Sequence, residues 1–293
     1  MKKLLFIINP MAGRQQAQTD LYKMVKIFAD HDYEVTVYPT RARLDCTRKV
    51  LEDADRFDLV VCCGGDGTLN EMVSGMMQRQ DRRPMGYIPL GSTNDLAVSL
   101  RLPTRVEEAA LRAVTGNEFH MDVGTLNDRY FNYIAAFGAF TETSYATPQE
   151  IKNALGHLAY ILEGVKSLGK ILPIHVKITA DDEQFEEDYL FGAVTNTISL
   201  GGVLKLDPEK VLLDDGMYEL LLVKNPTNAL EAQAMLTAIM TQNFDGPLVK
   251  MFHASDITFE SSHEISWTID GEYGGTFSHT HILNNKNAVT LIV

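Results

Sequence analysis

The run Asp58-Leu-Val-Val-Cys-Cys-Gly-Gly-Asp-Gly-Thr-Leu-Asn-Glu71 constrains the fold more tightly than any other stretch of the chain. Residues 59–63 are all apolar, which reads as a strand buried on both faces. Gly64-Gly-Asp-Gly67 breaks that run at once, and Thr68 with Glu71 has the spacing of a capping box that opens a helix. A buried strand, a glycine turn and a helix start make a corner suited to phosphate. Glycines admit anionic oxygens close to backbone N–H groups, and a helix N-terminus favours negative charge. Asp66 would repel such a ligand unless a cation lay between them, so it points to a magnesium-bound phosphate, held directly or through water. The plainer alternative is a tight strand-to-helix turn of the kind any α/β domain contains.

The surrounding sequence favours the first reading. Strands are expected at 4–8, 34–38, 59–63 and 85–88, with helices at 18–30, 46–54, 69–77 and 106–115. Such alternation means a parallel sheet covered by helices, in which ligands bind beyond the carboxyl ends of the strands. Residues 9–13, Thr40, 64–68 and 91–95 all follow strands, so four polar or glycine-bearing loops share one sheet edge.

Beyond residue 120 the texture changes to short alternating runs at 129–135, 175–180, 187–195, 217–223, 256–261, 265–269 and 288–293. Asp215-Gly216, Asp270-Gly271 and Gly274-Gly275 read as turns between them. An antiparallel sandwich or open barrel is expected, with helical segments at 151–171 and 229–241. Charge shifts at the same place. Residues 1–120 carry 16 Lys and Arg against 16 Asp and Glu, whereas residues 121–293 carry 10 against 23 and hold the whole net charge of −13. The expectation is an α/β domain over 1–120 and a β domain over 121–293, with the last residues able to return to the first. No basic surplus exists to neutralise nucleic-acid phosphates, which argues against that partner.

Cys46, Cys62 and Cys63 form no disulfide framework, and the last two point to opposite faces of a buried strand, as reduced core residues of a cytosolic protein would. The apolar start at 4–8 is too short for a signal segment, and no run approaches the ~20 apolar residues of a membrane span. The eight histidines show no zinc spacing.

A second motif, Ile88-Pro-Leu-Gly-Ser-Thr-Asn-Asp-Leu96, again runs a strand into a glycine turn. Ser92 and Asp95 have capping-box spacing, the hydroxyls of Ser92 and Thr93 can donate to phosphate, and Asp95 offers a second carboxylate to a cation. Together with residues 9–13, Gly64–Glu71, Asp214-Asp-Gly216 and Asp270-Gly-Glu-Tyr-Gly-Gly275, this chain resembles the bacterial diacylglycerol kinase group of lipid kinases over nearly its whole length. The Gly-Gly-Asp-Gly core alone is shared with NAD kinases and 6-phosphofructokinases. Its combination with 89–95 and the late Asp-Gly-Glu is specific.

The resemblance implies a Rossmann-like α/β nucleotide domain, similar to those of NAD kinase and phosphofructokinase, followed by an all-β sandwich. It implies that ATP contacts Asn9, Pro10, Met11, Ala12, Gly13, Thr40, Gly65, Asp66, Gly67, Thr68, Leu69, Asn70, Glu71 and Ser92. Asp66 and Asp95 would face the catalytic Mg2+ and the phosphates, and Glu272 would be the general base toward the lipid hydroxyl. A structural magnesium would sit on the Asp215 carboxylate and the backbone carbonyls of Leu212 and Met217. Two positions depart from the usual pattern: Ala12 stands where many relatives have Ser, and 91–94 reads Gly-Ser-Thr-Asn in place of Gly-Thr-Gly-Asn.

The implied activity is transfer of the ATP γ-phosphoryl group to diacylglycerol, giving phosphatidic acid, by a cytoplasmic protein that visits the membrane. The alternatives are the same chemistry on another lipid or on NAD, and a nucleotide-binding protein without transfer. The apolar stripe at 151–171 could help form an acyl groove or pack on a sheet, and an exposed edge strand could pair two protomers as a homodimer.

Overall fold

Apolar strands separated by amphipathic helices build a parallel sheet, in which every strand feeds a helix that covers one face. A computed structural model describes residues 1–138, 172–200, 204–206 and 211–293; the helix expected over 151–171 lies outside them. The described chain separates into two compact units, Met1–Val123 with Leu213–Asp215 and Asn285–Val293, and Gly124–Leu212 with Gly216–Asn284.

In the first unit, β1 (Lys2–Ile8), β2 (Tyr33–Pro39), β3 (Leu59–Gly64) and β4 (Met85–Pro89) lie in the order β4-β3-β1-β2, all parallel. The helices are α1 (Gln16–Thr19), α2 (Leu21–Asp30), α3 (Asp45–Asp53), α4 (Asp66–Met77), α5 (Asp95–Ser99) and α6 (Val106–Thr115). The strand β3 is buried at every residue, as its apolar run requires. Phe6 and Phe28 meet edge to face, with ring centroids 5.2 Å apart, and pin α2 to β1. The register places Ile8 beside both Pro39 and Cys63, and Gly64 beside Pro89, so four strands end together at one sheet edge. Cys46, Cys62 and Cys63 are free thiols, all buried.

A strand absent from the sequence reading, β5 (Glu118–Leu126), carries the chain from the first unit into the second. The second unit contains β6 (Arg129–Phe131), β7 (Ile134–Gly138), β8 (Ile174–Ala180), β9 (Glu183–Thr195), the short pair β10 (Ser199–Leu200) and β11 (Leu204–Lys205), β12 (Tyr218–Lys224), α7 (Ala229–Thr241), β13 (Val249–Ala254) and β14 (Asp256–Ile269). The last strand, β15 (Glu272–Ile292), begins in the second unit and ends in the first.

Two long strands change partners midway. The early part of β9 pairs with β8 and its later part with β7, while β14 pairs with β8 at 257–260 and with β7 at 267–269. Strands that switch partners in this way wrap a sandwich around its own core. Phe137, Phe259 and Trp267 fill that core, their ring centroids 4.9–5.7 Å apart. The expected separate strands at 256–261 and 265–269 are one strand with a register shift between Glu260 and Ile265, where a polar stretch interrupts the alternation.

Asp270-Gly271 is a two-residue hairpin turn with positive φ at both positions, 48° and 80°, as a type I′ turn demands. Gly274-Gly275 is not a turn. It lies inside β15, where the register shifts against Trp267 and Thr268, so the pair marks a bulge.

Candidate active site

In the first unit the loops after the four strands are tied to one another. The Asn9 N–H donates to the Cys63 carbonyl at 2.8 Å, and Thr40 N–H donates to the Ile8 carbonyl at 2.9 Å. The Asn9 side chain bridges further, accepting from Met11 N–H at 3.0 Å and donating to Thr68 Oγ1 at 3.4 Å. Pro10, Ala12 and Gly13 follow in the same loop, partly exposed, while Met11 is exposed.

The strand β3 delivers the chain to α4 through Gly65. This residue is the N-cap, and no side chain caps the helix, so Thr68 and Glu71 do not form the expected box. Thr68 N–H and Leu69 N–H instead return to the Gly65 carbonyl at 3.0 and 3.2 Å. Gly67 and Asn70, both half-buried, complete this first turn. Glu71 faces another helix start: its two carboxylate oxygens accept from Leu44 N–H at 2.8 Å and Cys46 N–H at 3.1 Å, at the opening of α3. The segment after Thr40 is thereby fastened to α4.

The turn after β4 packs directly on this corner. A Cβ placed on Gly91 would lie 2.8 Å from the Gly65 Cα and 2.5 Å from Asn94 Oδ1, so the two loops meet backbone to backbone. Asn94 closes its own turn, accepting from Gly91 N–H at 2.8 Å and donating to the Gly91 carbonyl at 3.0 Å. It also adopts the left-handed conformation and is the N-cap of α5, which replaces the box expected from Ser92 and Asp95. Asp95, buried, is the first residue of that helix, and Ser92 is exposed.

Asp66 joins the two motifs. Its Oδ2 accepts from the Thr93 hydroxyl at 3.1 Å and from Asn94 N–H at 3.0 Å. The Thr93 hydroxyl, read as a phosphate donor, therefore serves the carboxylate. Asp66 Oδ1 is buried and has no hydrogen-bond partner among the described residues. Burial raises the Asp66 carboxyl above the usual range, against the opposing pull of Thr93 and Asn94. A carboxylate with one satisfied oxygen and one buried, unsatisfied oxygen is a fitting ligand for a hard divalent cation. This single carboxylate is compatible with magnesium, which takes one or two carboxylates and keeps several waters.

In the second unit Glu272 opens β15, exposed and directly after the type I′ turn. The preceding Asp270 is buried and fixes that turn. Its Oδ2 accepts from Asn132 N–H at 2.7 Å, and its Oδ1 accepts from Tyr133 and Ile134 N–H at 3.0 and 3.2 Å. The Asp270 N–H returns to the Ile134 carbonyl at 2.9 Å. Glu272 thus stands two residues beyond an anchored point. Sequence reasoning missed this anchor, because Asp-Gly in a hairpin is explained by turn preference alone.

The residues implied for a structural magnesium are divided between the units: Asp215 belongs to the first, Leu212 and Met217 to the second. The Met217 carbonyl accepts from the Asn284 amide at 3.2 Å, and the Asp215 carbonyl accepts from Lys286 Nζ at 3.0 Å.

Residues 3–126 match the model of the diacylglycerol kinase catalytic domain, and residues 140–292 match the YegS C-terminal NAD kinase beta sandwich-like domain. The chain is 33% identical to the diacylglycerol kinase of Bacillus subtilis (strain 168), over 98% of this chain and 97% of that one. It is 31% identical to the diacylglycerol kinase of Staphylococcus carnosus (strain TM300), over 98% of this chain and 94% of that one. A crystal structure from Bacillus anthracis str. Sterne, provisionally named a diacylglycerol kinase, superposes with a TM-score of 0.85 at 27% identity, covering 99% of this chain and 96% of that one. These matches define a kinase of the lipid-kinase class. The chain belongs to the diacylglycerol kinase family.

Proposed function

We propose that this protein transfers the γ-phosphoryl group of ATP to the free hydroxyl of diacylglycerol, with Mg2+ as cofactor, giving phosphatidic acid and ADP. The observation that carries this reading is Asp66, held on one oxygen by Thr93 and Asn94 and left with the other buried and unpartnered.

Phosphoryl transfer needs positioning and charge neutralisation more than covalent help from the protein. The start of α4 carries no side-chain cap, and its first backbone N–H groups would meet phosphate oxygens. Asn9 through Gly13, Thr40 and Ser92 border the same strand ends and orient the nucleotide. Asp66 and Asp95 would hold the magnesium ion, which would neutralise charge on the phosphates. Glu71 acts through the Leu44–Cys46 backbone that it fixes. Glu272 accepts the proton of the lipid hydroxyl as that oxygen forms its bond to phosphorus and the bond to the ADP oxygen breaks. The Asp215 carboxylate and the backbone carbonyls of Leu212 and Met217 are proposed as a second magnesium site that would stiffen the second domain and act on catalysis only indirectly.

Among the described residues no helix is long and apolar enough to cross a membrane. Independently of that, we propose that the protein reaches diacylglycerol by transient binding at the membrane surface from the cytoplasm.

The test is transfer of labelled γ-phosphate from ATP-Mg to diacylglycerol in mixed micelles, by the wild type and by Glu272→Ala. Transfer by the first, and a loss of at least ~100-fold in the second with ATP affinity kept, is the expected result. Absence of transfer by the wild type, with ATP still bound, would turn the assignment to other lipids, NAD or a non-catalytic role.

A further inference from the structure

At one end of the second unit's sheet, β7 begins, β9 ends and β14 turns into β15. The register fixes this: Ile134 pairs with Thr195, and Ala135 pairs with both Val194 and Ile269. Just beyond those pairs lie Asn132 and Asn196. They are exposed by only 1% and 0%, and neither the amide nitrogen nor the oxygen of either side chain has a hydrogen-bond partner among the described residues.

The backbones around them are well satisfied. Asn132 N–H donates to Asp270, Asn196 N–H donates to the Tyr133 carbonyl at 2.9 Å, and the Thr195 hydroxyl shares that carbonyl at 2.9 Å. The segment is therefore rigidly placed, and only the two carboxamides are left over. Buried polar groups are almost always bonded to protein, to ordered water or to a ligand. Leaving both carboxamides unpaired costs more than an apolar pair of similar size would, so they call for a partner from outside the chain.

The place matters as much as the count. Asp270 clamps Asn132, Tyr133 and Ile134, and two residues after Asp270 comes Glu272. A group bound at the carboxamides would thus sit at the same strand ends as the proposed base.

We propose that Asn132 and Asn196 bind the uncharged glycerol–ester head of the acceptor lipid and present its hydroxyl toward Glu272. This rests on the lipid-kinase reading above. A carboxamide offers both N–H donors and an acceptor oxygen. The matching ligand must therefore supply acceptors and a donor together, which the ester carbonyls and free hydroxyl of a diacylglycerol do. Two neutral amides recognise a neutral head without the counter-charge that an anionic acceptor would require.

The experiment measures steady-state phosphorylation of dioctanoylglycerol in mixed micelles by Asn132→Ala and Asn196→Ala. Calorimetric binding of dioctanoylglycerol and the thermal midpoint are recorded for the same proteins. The expected result is an acceptor KM raised about tenfold or more in each variant, as loss of one or two neutral hydrogen bonds gives, with the ATP KM and the thermal midpoint unchanged. Asn132→Ser and Asn196→Ser carry the same test should either alanine variant fail to fold. An unchanged acceptor KM, with or without a lower midpoint, would make these carboxamides hosts for buried water and overturn the proposal. If the wild type binds dioctanoylglycerol without phosphorylating it, and the variants lose that binding, the subsite stands and the kinase reading falls. No binding and no transfer by the wild type would remove both.

Discussion

Thr93 donates its hydroxyl to Asp66 Oδ2 at 3.1 Å across 27 residues of sequence, joining the two glycine turns through one carboxylate. The other oxygen of that carboxylate is buried and has no hydrogen-bond partner among the described residues. Thr93→Val deletes the donor and leaves the burial, so it raises the Asp66 pKa further. A raised carboxyl pKa keeps the acid form to higher pH, and the form that binds a cation is gained as pH rises through it. The acid limb of kcat/KM for ATP-Mg is therefore expected to move to higher pH in the variant, with the two enzymes converging on the alkaline side. Superimposable pH profiles would show that the Thr93 bond does not tune Asp66.

Gly65 and Gly91 are not equivalent. A Cβ on Gly65 would meet the Gly91 Cα at 3.2 Å, whereas one on Gly91 would meet Asn94 Oδ1 at 2.5 Å and the Gly65 Cα at 2.8 Å. Gly91→Ala is expected to weaken ATP binding at least ~10-fold and more than Gly65→Ala does, since its Cβ meets backbone at 2.8 Å where that of Gly65 meets it at 3.2 Å. Calorimetric titration of both variants decides it, and the reverse order would contradict the packing.

Glu71 fastens the start of α3 through two backbone N–H groups. Glu71→Ala is expected to lower unfolding stability by about 1–3 kcal/mol, as loss of bonds to a charged acceptor does, and to raise the ATP KM through the loosened segment after Thr40. Urea unfolding and steady-state kinetics measure the two effects. A rise in KM without a loss of stability would place Glu71 on the nucleotide itself.

Asp45 carries a pH-dependent part of the stability. Burial pushes its carboxyl up, but the Arg48 guanidinium, the Arg41 N–H and the Tyr38 hydroxyl outweigh that and hold it at about 2 in place of 3.8. A lowered pKa contributes stability that is present above the unfolded value and lost as pH falls through the folded one, here from about 4 to about 2. The shift corresponds to about 2 kcal/mol at pH 7. Asp45→Asn should lose about that much at pH 7, and the gap to the wild type should narrow to roughly half by pH 3. A gap independent of pH would assign the loss to packing.

Much of this was legible in the chain. Residues 59–63 are apolar without a break and lie buried in β3, and the four strand-end loops do share an edge, because parallel α/β topology leaves them nowhere else. The helices expected at 106–115 and 229–241 are observed with those bounds, while the Asn228 side chain that caps α7 by accepting Leu230 and Glu231 N–H was not read from the chain.

What was not legible depends on contacts distant in sequence. Thr68 and Glu71 have capping-box spacing, yet a glycine N-cap leaves Glu71 to serve Leu44 and Cys46, 27 and 25 residues away. Gly274-Gly275 looks like a turn and is a bulge, because β15 continues past it in pairing with β14. Asn132 and Asn196 carry no local signal at all. Only their burial without partners distinguishes them.

The most direct test of the central claim is the Mg2+ dependence of phosphoryl transfer to diacylglycerol by the wild type and by Asp66→Asn. Asparagine preserves the size of the side chain and can still meet Thr93, but it removes the charge that suits a divalent cation. Wild-type transfer is expected to rise with Mg2+ to saturation, and the variant to be at least ~100-fold slower, its remaining rate saturating only at much higher Mg2+. Equal rates and equal half-saturating Mg2+ in the two proteins would contradict it.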